Sequence, residues 1–309
     1  MSDASESTVG QTADAVPPPP PRQRRLAADA WRELKKAPLS AKFGLAVIAG
    51  YVFVALFAPV LTPYGESQIV GAEFELPIWQ EEWGGEFILG TDNLGRDMLT
   101  RLLYGARNTV GIAFVTTCLA FLIGGILGIL AAALAGWVDQ AVSRIVDVLM
   151  AIPALIFALL LLTIFGTSIP LLIIIIAVLD STRVFRLSRA VSLNVVVMDY
   201  VEAARLRGEG IGWITIREVL PNIMPPLVAE FGLRFCFVFL TIAALSFLGL
   251  GIQPPTADWG SMVRDNATLI TYGDVTPLLP AAAIALLTVG VNFVVDWFLH
   301  KTSGLRDEQ

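Results

Sequence analysis

The sequence predicts an all-α, polytopic membrane protein, and three observations carry that prediction. Hydrophobic residues fill 55% of the 309 positions, charged residues only 16%, and mean hydropathy is +0.70. That leaves more apolar surface than an ordinary soluble fold can hide. Uncharged runs such as Asn108 to Val138 and Phe235 to Ala257 exceed the roughly 20 residues that cross a bilayer as a helix. The 21 Lys and Arg are also spread unevenly over the segments that join such runs, as in a chain inserted with fixed orientation.

Residues 1–25 are polar, with prolines from Pro17 to Pro21 ahead of Arg22, Arg24 and Arg25. They cannot bury enough apolar surface to order themselves and are expected to form a disordered cytoplasmic tail. The charged and apolar regions of a cleavable signal peptide are missing from this terminus. Within 26–42, Ala27, Trp31 and Leu34 share one side of a helix and Arg32, Lys35 and Lys36 another, ahead of Pro38. This suits an interfacial helix in the headgroup layer; an extended basic lead-in is the other reading. Residues 43–106 hold the first span and an external loop, residues 107–299 the remaining spans with a long loop at 188–223, and residues 300–309 a second cytoplasmic tail.

Hydropathy places six transmembrane helices at about 43–62, 108–136, 145–165, 168–187, 224–249 and 275–298. The second carries Gly124, Gly128, Ala132 and Gly136 at four-residue spacing, a stripe that lets another helix approach closely. In the fourth, the apolar stretch from Ile169 is interrupted at Asp180, and only a tight turn at Gly166 to Pro170 separates it from the third.

Orientation follows from Lys and Arg. With the N-terminus inside, that face collects Arg22, Arg24, Arg25, Arg32, Lys35, Lys36, Lys42, Arg144, Arg183, Arg186, Arg189, Arg205, Arg207, Arg217, Lys301 and Arg306. The outside holds Arg96, Arg101, Arg107 and Arg264, while Arg234 falls within a span. Both termini are therefore expected to be cytoplasmic. The first outer loop carries Glu66, Glu73, Glu75, Glu81, Glu82, Glu86, Asp92 and Asp97, which accounts for the formal charge of −6.

That charge argues against a nucleic-acid partner, which needs clustered cations. No glycine precedes a lysine, so there is no Walker A loop and the chain is not itself a P-loop ATPase. His300 is the only histidine and no HExxH or Cys/His cluster exists, so no metal site is expected. Cys118 and Cys236 lie in apolar runs and read as small buried hydrophobes.

The loop at 188–223 is the most informative segment. Asp199 can cap a helix into which Glu202 reaches back, and Gly208 supplies the stop, giving a short helix from Tyr200 to Arg207. A second helical stretch, Trp213 to Leu220, leads to Pro221 and the fifth span. A short helix fixed between two spans is a lever: force on it moves both. Charges inside spans are costly and mark function. Asp180, Glu230 and Arg234 qualify, and Glu230 and Arg234 sit four apart, so they form either an internal pair or part of a polar translocation path. Asp92 or Asn93 can cap an external helix with Leu94, Met98 and Leu102 on one face and Arg96, Asp97 and Arg101 elsewhere. The Gly249, Gly251, Pro254 and Pro255 cluster is either a helix stop or a gate.

Glu202-Ala203-Ala204, three residues, Gly208, nine residues, then Glu218-Val219-Leu220-Pro221 resembles the EAA signature of bacterial ABC importer permeases. Three further segments are similar to the C-type subunit of the dipeptide/oligopeptide/nickel branch. They are Leu89-Gly90-Thr91-Asp92-Asn93-Leu94-Gly95-Arg96-Asp97, Met150-Ala151-Ile152-Pro153, and Leu245-Ser246-Phe247-Leu248-Gly249-Leu250-Gly251 with Gln253-Pro254-Pro255 and Trp259-Gly260. The resemblance implies a type I ABC importer permease fold in a bacterial inner membrane. It makes Glu202, Ala203, Ala204, Gly208, Leu220 and Pro221 the ATPase-coupling residues, and Asp92, Arg96, Asp97 and Trp259 an external gate or binding-protein contact. The implied partners are a second related permease subunit, two ATPase subunits or a fused ATPase, and an extracellular substrate-binding protein. ATP and Mg would sit on the ATPase subunits, and this chain would bind no cofactor. Peptides are the expected cargo, with nickel chelates, heme or oligosaccharides as alternatives. A secondary transporter would favour an internal repeat around a midplane ion site, which is not visible. A membrane enzyme needs a convergent catalytic set, which is missing.

Overall fold

The computed structural model describes residues 35–78 and 86–302. The chain divides into two units, Met1–Ala37 and Pro38–Gln309. The tail at 1–25, residues 26–34 of the interfacial helix expected at 26–42, and residues 303–309 lie outside the described residues, while Leu39 to Lys42 already belong to the first long helix.

The second unit is helical. We number its helices α1 (Leu39–Leu61), α2 (Met98–Leu134), α3 (Gly136–Ala151), α4 (Ala154–Phe165), α5 (Ile169–Val196), α6 (Asp199–Leu206), α7 (Ile211–Phe247), α8 (Trp259–Asn266) and α9 (Leu278–Thr302). Helices α1, α2 and α7, and α9 over Leu278–Lys301, are each long and apolar enough to cross a membrane. The protein is thus an integral membrane protein.

The six expected spans need correction in several places. The third is not one straight helix, because α3 and α4 meet at an 87° bend. Ile152 is extended there and Pro153 stands just before α4, and a residue ahead of proline is pushed out of the helical region. As one broken span the pair brings the count of apolar crossings to five. Helix α5 is long enough at 28 residues, about 42 Å at the helical rise. Its apolar stretch ends at Asp180, however, and Arg183, Arg186 and Arg189 follow, so length and apolarity alone do not qualify it as a lipid-exposed span.

Two other boundaries move. Helix α2 starts at Met98, ahead of the expected 108, and passes through a π-helical turn at Ala106–Val110. The separate external helix expected from Asp92 or Asn93 is the first turns of this span. Helix α7 starts at Ile211, passes a π-helical turn at Thr215–Val219 and continues through Pro221, Pro225 and Pro226 without a break. Pro221 lies in the first turn after the π-helical segment.

The small-residue stripe finds its partner in α5, and α2 and α5 make the most extensive helix contact among the described residues. A Cβ on Gly124 would be driven into the Ser181 carbonyl oxygen, and one on Gly128 would stand 2.7 Å from the Phe185 carbonyl oxygen. Gly136, by contrast, has nothing near it and is the first residue of α3. The Ser188 hydroxyl donates to the Gly125 carbonyl across this seam at 3.1 Å. One apolar core joins α2, α4, α5, α7, α8 and α9, with Phe239, Ile242, Leu245 and Trp259 among its fully buried members. Helix α1 leaves Phe43, Phe53, Leu56, Phe57 and Val60 exposed, as a lipid-facing helix does. Cys236 is buried, but Cys118 is exposed on α2, which corrects the expectation that both are interior.

The seam makes a testable contrast. Gly124→Ala should overpack it and lower stability by about 1–3 kcal/mol. Gly125→Ala should shift stability by less than about 1 kcal/mol, because a Cβ at Gly125 meets nothing within 4 Å. Thermal unfolding of the detergent-purified protein reads the difference.

Candidate functional site

Helices α5 and α7 run between two ends of the bundle, one carrying α6 and the other α8. The site residues expected from the sequence gather at each end and halfway between.

At the first end, α6 is a short helix with one face held and the other free. Val201 and Ala204 are fully buried against Ile129, Ile214, Val219 and Ile223, with Leu220 packed alongside. Glu202, Ala203, Arg205 and Leu206 are exposed. The expected coupling residues therefore divide. Glu202, Ala203, Gly208 and Pro221 face outward, whereas Ala204 lies inside the anchor and Leu220 is half-buried beside it.

Helix α6 begins differently from the sequence expectation: Met198 is the N-cap, Asp199 is already helical, and no side chain caps the start. The Glu202 N–H donates instead to the Met198 carbonyl at 3.2 Å. Its end is as expected. Gly208 has φ +82°, its N–H donates to Arg205 O and the Glu209 N–H to Ala204 O, the bond pattern of a left-handed helix stop. Around it Val197, Met198, Leu206, Ile211 and Ile216 are exposed apolar side chains.

Halfway along, the three charges singled out within spans meet. Arg234 pairs through Nε with Glu230 at 2.7 Å and through Nη1 with Asp180 on α5 at 3.6 Å. Its guanidinium also lies 4.7 Å from the centre of the Phe237 ring. Sequence reasoning counted Arg183 only as an inward-facing cation, yet it reaches the same Asp180 oxygen at 3.3 Å. The i, i+3 spacing of Asp180 and Arg183 was the signal for it. Nearer the α6 end, α3 is strapped to α5 by Arg186–Asp147 at 2.7 Å and by Arg189–Asp139.

At the other end, the segment from Leu89 to Asp97 is a self-locked knot. Asp92 accepts from the Leu94 and Arg96 N–H groups at 2.9 and 3.0 Å and pairs with Arg96 at 2.7 Å and Arg101 at 3.1 Å. Asp97 caps α2 by accepting from the Thr100 N–H at 2.7 Å. Asp92, Arg96, Asp97 and Trp259 are all buried. Asp92, Arg96 and Asp97 are turned into the knot and the start of α2, and Trp259 packs against α2. Trp259 Nε1 donates to the Leu102 carbonyl at 2.9 Å, and its ring fills the place where a Cβ on Gly105 would go.

Beside Trp259, Asp258 caps α8 through the Ser261 N–H and accepts from the Thr109 hydroxyl at 2.9 Å. Burial pushes the Asp258 carboxyl above the usual carboxylate range, against the pull of those hydrogen bonds. Glu66 accepts from Asn108 at 2.9 Å and from the Ala257 N–H at 3.2 Å. Glu66, Asn108, Thr109 and Asp258 were invisible to spacing arguments because the contacts span long stretches of chain. The Gly249 to Pro255 segment ends α7 as a helix stop: Gly249 has φ +87°, and Ser246 Oγ accepts from the Ile252 N–H at 3.1 Å. Among the described residues no group of three His, Cys, Asp or Glu could hold a metal.

The knot yields a prediction. Asp92→Ala would leave Arg96 and Arg101 buried without their shared carboxylate, a loss of at least about 3 kcal/mol. Thermal unfolding should fall accordingly and protease should cut within 62–97, before any effect specific to an external partner is seen.

Comparison with known proteins places this architecture. The family described as "Binding-protein-dependent transport system inner membrane component" matches residues 120–301, and "N-terminal TM domain of oligopeptide transport permease C" matches residues 25–77. The chain is 33% identical over 279 residues to a dipeptide transport system permease protein of Alkalihalophilus pseudofirmus, covering 90% of this chain and 88% of that one. It is 36% identical to a di/tripeptide transport system permease protein of Pseudomonas aeruginosa over 85% of each chain. A peptide transport system permease protein of Escherichia coli O6:H1 is 37% identical, over 86% of this chain and 90% of that protein. With a family match from the middle of α2 to the end of α9, and relatives that align over most of their length, the chain belongs to the inner-membrane permease components of binding-protein-dependent transport systems.

Proposed function

We propose that this chain is one of two permease subunits in an ATP-driven importer of di- and oligopeptides, with both termini cytoplasmic. It forms half of the translocation path and catalyses no reaction itself. ATP and Mg belong to the ATPase subunits, which dock on α6 from the cytoplasm, and a substrate-binding protein delivers cargo at the α8 end. The names of the relatives, permeases of dipeptide, di/tripeptide and peptide transport systems, support the cargo. The excess of Lys and Arg on the α6 side supports the orientation.

One observation carries the coupling role. Helix α6 has Val201 and Ala204 locked into a core shared with α2, α5 and α7, while Glu202, Ala203 and Leu206 face out among further exposed apolar side chains. A push on the outer face is therefore passed through the anchor to the spans rather than absorbed by the loop. The charge set Asp180, Glu230 and Arg234 then lies on the path that those spans open and close, since an ionised group halfway through a bilayer is stable only against protein or water.

The test is transport in proteoliposomes containing the whole complex. Gly208→Val forces a β-branched residue into the left-handed region, where a Cβ costs roughly 1 kcal/mol or more, and no neighbouring atom adds to that strain. Ala203→Asp changes only the exposed face. Both should leave the chain inserted while peptide uptake and peptide-stimulated ATPase fall together by about tenfold. Wild-type uptake in either variant, or full stimulated hydrolysis in a complex that still holds its ATPase subunits, would contradict the coupling role of α6.

A further inference from the structure

The mid-span charges are not held equally. Arg234–Glu230 is a close pair at 2.7 Å, but Asp180 is shared between two arginines at 3.3 and 3.6 Å through one oxygen. Asp180, Glu230 and Arg234 are mostly covered, whereas the Arg183 side chain remains 44% exposed. An exposed guanidinium halfway along α5, inside a membrane protein, is stable only where water or another polar group meets it. Arg183 also borders a cavity of about 110 Å³ with Thr182, Leu179, Met150, Ile152 and Pro153, at the bend between α3 and α4. At ~30 Å³ per water this space takes a few waters or the end group of a chain, not a whole peptide.

Resting on the peptide-importer reading above, we propose that Arg183 receives the C-terminal carboxylate of the peptide in transit. The set contains two carboxylates, Asp180 and Glu230, and two guanidiniums, Arg183 and Arg234, so it is neutral at rest. An incoming carboxylate can take Arg183 without stranding Asp180, which keeps its contact with Arg234. Asp180 is thus a placeholder that releases one arginine while held by the other. A permease that carries peptides of varied sequence can rely only on groups every peptide has, and the terminal carboxylate is the one that a planar, permanently charged guanidinium recognises best.

The experiment uses the complete complex in proteoliposomes and trialanine, whose only carboxylate is its C-terminus, and reads peptide delivered per ATP hydrolysed for wild type, Arg183→Gln and Arg183→Lys. Arg183→Gln should lower that ratio by about tenfold, the scale of one charge-assisted hydrogen bond. Arg183→Lys, which keeps the cation, should recover it to within about threefold of wild type. An unchanged ratio in Arg183→Gln overturns the proposal. So does a fall in uptake and hydrolysis in proportion, or a loss in Arg183→Lys as deep as in Arg183→Gln, because either marks a purely structural role. If the wild-type complex delivers no trialanine, the peptide reading itself fails and takes the proposal with it; a wild-type complex that delivers it while Arg183→Gln does so equally overturns the proposal alone.

Discussion

A carboxylate in the middle of a membrane bundle must be answered by a cation from within the protein, and the answer here crosses from one helix to another. Asp180 on α5 is met by Arg183 from its own helix and by Arg234 from α7, which is itself neutralised by Glu230. Desolvation makes each of these charges too costly to leave alone, so the positions of α5 and α7 relative to each other are tied to this contact. Both helices run on to the α6 end, and α6 is the short connection between them. A displacement of α6 therefore cannot move one helix without loading the charge set that links it to the other.

The remaining packing serves this linkage. Gly124 and Gly128 let α2 lie against the backbone of α5, and Ile129 of α2 reaches the core in which Val201 and Ala204 of α6 are set. Asp139 and Asp147 of α3 hold the outer side of α5. At the α8 end, Glu66, Thr109, Asp258 and Trp259 bind the first turns of α2 to the start of α8. The bundle is thus cross-linked by hydrogen bonds at the α8 end, strapped at its middle by charges, and handled at the α6 end through a helix with one free face.

Much of this was legible in the chain. Uncharged runs marked the membrane helices, the four-residue spacing of Gly124 and Gly128 marked a close helix contact, and Gly208 marked the end of α6. These signals are local and depend on one helix at a time. The sequence could not reveal that Asp92 faces inward onto Arg96 and Arg101, that Ala204 and Ala203 part company on α6, or that Pro221 lies within a continuous helix. Each depends on what the rest of the chain brings alongside. A capping box at Asp199 was a reasonable local reading, but the chain enters α6 one residue earlier, so the side chain that would cap it is already within the helix. The bend at Ile152 and Pro153 was written in the dipeptide itself, and hydropathy averaged over a window hides such a break.

The most direct measurement of the central linkage is a double-mutant cycle between Asp180 and Arg234, read as melting temperatures of the purified complex. Arg234→Gln alone strands Glu230 and leaves Asp180 with Arg183 as its one cation, and should lower the melting temperature most. Adding Asp180→Asn removes the under-compensated charge on α5, so the double variant should be more stable than the sum of the single effects predicts, with a coupling on the order of 1 kcal/mol. Strict additivity of the two substitutions would contradict the account, since it would mean that α5 and α7 do not meet through these charges.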